Sequence, residues 1–139
     1  MDRRAFLVST LALAGCGAAS PRQVVICDPG LGAALMRARA RYPQPGALVV
    51  SEARPQALLE MAEGERSALV VTRQSLIANR LQRLGHVRLE HRWQARIGKD
   101  AVQLLVTRGG GPSQWRALKL ARWLASDAGA AALGVPIGP

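Results

Sequence analysis

The sequence predicts an α/β fold: a single three-layer lobe with a mostly parallel sheet flanked by helices on both faces. Three observations carry this. Short apolar runs rich in β-branched residues, 23-QVVICD-28, 47-ALVVS-51 and 67-SALVVT-72, read as buried strands. Between them lie longer segments whose apolar residues recur at helical spacing. A strand, a helix and another strand in that order bring the second strand back parallel to the first.

The elements follow in turn. Asp28-Pro29 offers a cap and a first-turn proline to a helix carrying Leu31, Ala34, Leu35, Ala38 and Tyr42 on one face, with Arg37 and Arg41 in solvent. The stretch 42-YPQPG-46 breaks it. Pro55 opens a second helix through Leu58, Met61 and Ala62 to Gly64, and a third carries Leu76, Ile77, Leu81 and Leu84 and closes at Gly85. The pattern then changes. The segment 86-HVRLEHRWQARI-97 alternates loosely, Gly98-Lys99-Asp100 turns, and 101-AVQLLVT-107 forms another strong strand. After the flexible 108-RGGGP-112, a last helix starts near Ser113 with Trp115, Leu118, Ala121 and Leu124 on one face. Ser126 recaps a short piece, 127-DAGAAAL-133, stopped by Gly134. The chain has no internal repeat.

The amino terminus reads differently. In 1-MDRRAFLVSTLALAGC-16 the apolar run Ala5–Ala14 is ten residues, about half of the ~20 that span a bilayer. A basic start, a short apolar middle and small residues make a secretory signal. A buried helix would have to carry Gly15, Gly17 and the arginine pair. Arg3-Arg4-Ala5-Phe6-Leu7 resembles the twin-arginine export motif, and Leu13-Ala14-Gly15-Cys16 resembles the lipobox of bacterial lipoproteins. The resemblance implies that residues 1–15 are a signal peptide and that Cys16 is lipidated. Residues 16–22 are then a tether, and residues 23–139 the lobe. Several acyl chains on Cys16 would anchor the protein to a membrane, one alone holding only marginally. The expected location is the periplasm, and Gly17 in place of Asp favours the outer membrane by the same resemblance.

Composition narrows the partners. Beyond residue 15 there remain 17 basic and 8 acidic side chains, a net charge of +9. All the basic residues except Lys99 and Lys119 are arginine. The arginines are scattered, and that part of the chain has only Tyr42, Trp93, Trp115 and Trp123 as aromatics. Nucleic acid is therefore not an expected partner. An anionic membrane surface or an anionic ligand suits the charge better. With Cys16 committed to lipid, Cys27 is left alone on an apolar strand, where a buried and inert thiol is expected.

In 28-DPGLGAAL-35, Gly30-Leu31-Gly32 invites a dinucleotide reading, and Glu52 lies near the ribose-binding distance. Leu35 stands where the third glycine belongs, so no cofactor is expected. The helix starts at Gly30-Leu31, Arg54-Pro55 and Thr72-Arg73 should nevertheless gather at one edge of the sheet, where free N–H groups attract anions. Ser51 and Thr72 add hydroxyls, and Arg54 and Arg73 add charge. The candidate ligand-binding set is thus Gly30, Leu31, Ser51, Arg54, Thr72 and Arg73. Catalysis finds little support. His86 and His91 are the only histidines, and no serine has a nucleophile-elbow frame. No cluster has metal-ligand spacing, and Glu60 and Glu63 read as an exposed helix face. An enzyme is not expected.

Three segments carry a wider resemblance: 24-VVICDPGLGAALMRARARY-42, 97-IGKDAVQLLVTRGG-110 and 115-WRALKLARWLASDAGAAALGVPIGP-139. Together they resemble the bacterial periplasmic solute-binding proteins of the molybdate and phosphate type. The resemblance implies the type 2 periplasmic-binding fold, an oxyanion such as molybdate held between two lobes, and delivery to an ABC importer's permease. Two departures stand out. Only Arg108 to Pro112 fill the place of a second lobe, and Gly30 and Arg54-Pro55 stand where the molybdate-type members have ligand serines. Two functions follow. One is the substrate-binding component of an oxyanion importer. The other is a degenerate one-lobe module, tethered to the membrane and acting on a protein partner without ligand. Pairing of two copies to rebuild a cleft is left open.

Overall fold

The computed structural model describes residues 22–44 and 46–134. The signal, Cys16, most of the tether, Pro45 and residues 135–139 lie outside them. The elements run β1 (Arg22–Cys27), α1 (Gly32–Arg41), β2 (Ala47–Glu52), α2 (Pro55–Gly64), β3 (Leu69–Thr72), α3 (Ser75–Arg83), β4 (Val87–Ile97), β5 (Asp100–Thr107), α4 (Gly111–Ala125) and α5 (Asp127–Leu133).

One five-stranded sheet forms, in the order β2-β1-β3-β5-β4. β1 pairs parallel with β2 and β3, whereas β5 is antiparallel to both β3 and β4. The expected mostly parallel sheet is therefore mixed. The reason is the Gly98-Lys99 turn, too short for a helical crossover, which returns the chain as a hairpin. Burial decides which arm of that hairpin lies inside. Val102, Leu104, Leu105 and Val106 of β5 are all fully buried, so this strand needs cover on both faces. β4 carries Arg88, Glu90, Arg92, Gln94 and Arg96 and takes the outer position, with a register shift between Val87 and Arg92.

Strand alternation then divides the core into two layers. Val25, Cys27, Leu69, Val71, Leu104 and Val106 face α1, α4 and α5. Ile26, Val70 and Leu105 face α2 and α3 through Leu58, Ala62, Ile77, Ala78 and Leu81. All of these elements lie within residues 22–134, so a chain beginning at residue 17 holds every described element of the fold. Tyr42, the C-cap of α1, and Trp123 of α4 meet with ring centroids 5.1 Å apart and planes tilted by 54°. Ser126 caps α5 as expected, accepting from the Gly129 N–H at 3.3 Å. Gly129 admits no side chain, since a Cβ there would lie 2.0 Å from the Trp123 carbonyl.

Several local expectations are corrected. Asp28 does not cap α1; the helix starts later, with Leu31 as N-cap, and the Asp28 carboxylate turns toward β3. α3 starts at Ser75 rather than at Thr72-Arg73, and α4 starts at Gly111. Leu76 is 82% exposed and so lies off the apolar face of α3.

Cys27 is fully buried, and burial, with Glu52 and Asp28 nearby, pushes its thiol up to about 12 from 9.0. The unfolded thiol ionises first, so Cys27 favours the folded state below pH ~9 and loses that contribution as pH rises toward ~12, by about 1.4 kcal/mol per unit. Two outcomes are expected for residues 17–139. Iodoacetamide should label Cys27 only on unfolding, and the stability difference between wild type and Cys27→Ala should shrink as pH rises above 9. Labelling of the native protein would contradict the burial.

Candidate functional site

β1, β2, β3 and β4 all point one way, so their carboxyl ends share one edge of the sheet with the Gly98-Lys99 turn. A depression of about 450 Å³ opens there between the start of α1, that turn and the end of α5. Gly30, Leu31, Arg37, Arg73, Lys99 and Asp100 line it. Three cations therefore meet one acid at its rim.

Beneath the rim, the chain's own carboxylates already hold the groups that would attract an anion. Asp28 is 3% exposed. Its Oδ1 accepts from the Thr72 hydroxyl at 2.9 Å and its Oδ2 from the Arg73 N–H at 2.6 Å. The Thr72 hydroxyl in turn accepts from the Gln74 N–H at 3.1 Å, which closes the approach to α3. Glu52, at the end of β2, reaches the start of α1, where its Oε2 accepts from the Gly32 N–H at 2.8 Å. A carboxylate at a helix start gains both the hydrogen bond and the helix dipole. Gly32 makes this approach possible, because a Cβ there would sit 2.6 Å from Glu52 Oε2.

Arg73 ties the rim together. Its Nε donates to Asp100 Oδ2 at 2.9 Å, and its Nη1 donates to the Pro29 carbonyl at 3.2 Å and lies 3.8 Å from Asp28 Oδ2. Arg37 and Lys99 make no side-chain hydrogen bond or ion pair among the described residues.

Of the candidate set, Gly30, Leu31 and Arg73 come together at the depression. Leu31 contributes mainly packing: its side chain is buried in the core, and its N–H bonds the Asp28 carbonyl at 3.3 Å. Thr72 lies below, fully buried and turned to Asp28. Ser51 and Arg54 do not line the depression. They lie on β2 and at the start of α2, which packs on the other face of the sheet from α1. Arg37, Lys99 and Asp100 join the site without having been singled out for it. The turn at Gly98-Lys99-Asp100 is visible in the sequence, but its edge depends on the direction of β4.

The histidines lie elsewhere. His86 lines a separate depression with Glu63, Glu65 and Arg108, and His91 sits half-buried on β4, where burial holds its imidazole below the usual 6.5. Among the described residues no group of His, Cys, Asp and Glu could hold a metal ion, and no helix is long and apolar enough to cross a membrane. The chain matches no protein-family model, no curated protein and no solved structure.

The carboxylate network makes its own prediction. Asp28→Asn places an amide against a buried donor and should lower the stability of residues 17–139 by about 1–3 kcal/mol. Glu52→Gln keeps an acceptor for Gly32 but loses the charge, and should cost less than about 1 kcal/mol. Urea unfolding should show lower midpoints at unchanged slope. An unchanged midpoint in Asp28→Asn would contradict the network.

Proposed function

We propose that this chain is an extracytoplasmic lipoprotein, tethered through lipid on Cys16, whose lobe is of the periplasmic solute-binding type but is retained as an interaction module without an oxyanion ligand. The observation that carries this is the occupation of the N–H groups at this edge by the chain's own carboxylates, Glu52 at the start of α1 and Asp28 on the Arg73 N–H ahead of α3. An incoming oxyanion would have to displace Glu52 from the Gly32 N–H and Asp28 from the Arg73 N–H. Either exchange swaps one charge-assisted hydrogen bond for another, with little net gain.

The sheet supports the comparison with a single lobe. The segment likened to the strand leaving a first lobe is β5, inside the sheet and antiparallel to β3. Only three residues, Arg108–Gly110, separate it from α4. A partner, whether a permease or another membrane protein, would meet a preformed domain without hinge closure.

A second reading, the substrate-binding component of an importer for molybdate or a similar oxyanion, draws on Arg37, Lys99 and Arg73 at the rim. Thermal unfolding of residues 17–139 with molybdate, tungstate, sulfate and phosphate in turn separates the two. The proposal expects no shift with any. A ligand at 100 times its Kd would add about 2.7 kcal/mol, and such a rise with one oxyanion would establish the importer reading instead. The anchor has its own test: radiolabelled fatty acid should enter the full chain in a bacterial host and fail to enter Cys16→Ser. Equal labelling of both would overturn it.

A further inference from the structure

The charge of the lobe is divided between the two edges of the sheet. At the edge where β1, β3 and β4 begin stand Arg22, Arg66, Arg88 and Arg108, with Arg39 and Arg83 in the last turns of α1 and α3. All but Arg39 are exposed. The acids near them are Glu63, Glu65 and Glu90. At the carboxyl edge, by contrast, Arg37, Arg54, Arg73, Arg96, Lys99 and Arg122 meet Asp28, Glu52, Asp100 and Asp127, a net +2. Counting also Arg41 and Arg80 in the last turns of α1 and α3 and Arg116 and Lys119 of α4, the amino edge holds ten cations and three acids, a net +7 of the +9 beyond residue 15.

Two further features share that edge. The first is a depression of about 160 Å³ lined by Gln23, Arg39, Tyr42, Trp115, Arg116 and Lys119. Trp115 is 58% exposed, with Lys119 Nζ 4.5 Å from its ring centroid. An exposed indole beside cations suits a membrane interface, where the ring enters the headgroup layer and the charges meet lipid phosphate. The second is the entry of the chain. Arg22 starts β1, and five residues separate it from Cys16, so the two lie at most ~20 Å apart along the chain.

We infer that the amino edge, with Trp115 at its rim, lies on an anionic lipid bilayer and leaves the carboxyl edge with its depression facing away from the membrane. The inference rests on the proposed anchor at Cys16 for its biological setting, but not for its test. A tether that short holds the amino edge near the surface, within a few times the ~8–10 Å over which the surface field decays. Each exposed arginine there adds attraction.

Residues 17–139, which lack Cys16 and its lipid, should sediment with phosphatidylglycerol vesicles and not with phosphatidylcholine vesicles, and salt should release them. Arg66→Gln and Arg108→Gln should each weaken binding about fivefold, the effect of one surface cation. Arg96→Gln, the same change at the opposite edge, should leave it unaltered. Tryptophan emission should shift to the blue on phosphatidylglycerol vesicles, and Trp115→Ala should abolish the shift although Trp93 and Trp123 remain. Thermal unfolding of each variant confirms that the lobe is intact. Three results would overturn the inference: no binding to phosphatidylglycerol vesicles, equal loss in Arg96→Gln and Arg108→Gln, or tighter binding to a single-stranded oligonucleotide than to the vesicles. Because Cys16 is missing from the chain tested, this partition decides the face, whereas fatty-acid labelling decides the anchor.

Discussion

The carboxylate of Asp28 is the point on which the carboxyl edge is built. It is buried, it lies at the end of the central parallel strand, and it fixes the backbone of Arg73 and the hydroxyl of Thr72 on the neighbouring strand. A carboxylate so placed must have its oxygens satisfied, since an unpartnered buried charge costs several kcal/mol. Its bonds therefore determine how the chain leaves β3. The Arg73 guanidinium then closes over Pro29 and reaches the Asp100 of the hairpin. Elements distant in sequence are held by one acidic side chain and the groups around it.

The same logic governs the outer strand β2. Glu52 supplies α1 with the negative charge that its own first turn lacks, as that turn contains no acidic residue. A helix start and an anion are matched within the fold. The anions at these N–H groups are the chain's own side chains. The unmatched charge sits at the other edge, where arginines at strand starts and helix ends have few acids near them. The fold thus separates a weakly charged edge from a strongly basic one.

Much of this architecture was legible in the sequence because its signals are local. The runs 23-QVVICD-28 and 67-SALVVT-72 announce strands, Pro55 opens α2, Gly85 follows the C-cap of α3, and Ser126 caps α5. The placement of β5 between β3 and β4 is not a local signal, although the apolar run Leu104–Val106 contains its reason: only an interior position buries both faces. The site was less legible. Asp28 before Pro29 has the form of a helix cap, and nothing local reveals that its oxygens are taken by residues 44 and 45 positions later. Ser51, Arg54 and Gly30 group together in the sequence because each stands at or just after the end of a strand. The helices that follow those strands pack on opposite faces of the sheet, and that separation is a tertiary property.

The most direct test of the account observes the occupied donors themselves. In a two-dimensional amide nitrogen–proton spectrum of residues 17–139 at neutral pH, the Gly32 and Arg73 signals report the bonds to Glu52 and Asp28. The account predicts that both stay in place as molybdate or phosphate is added, while Glu52→Gln moves Gly32 without oxyanion. Saturable movement of both signals with one oxyanion would contradict it, since the carboxylates would then be yielding their places to a ligand.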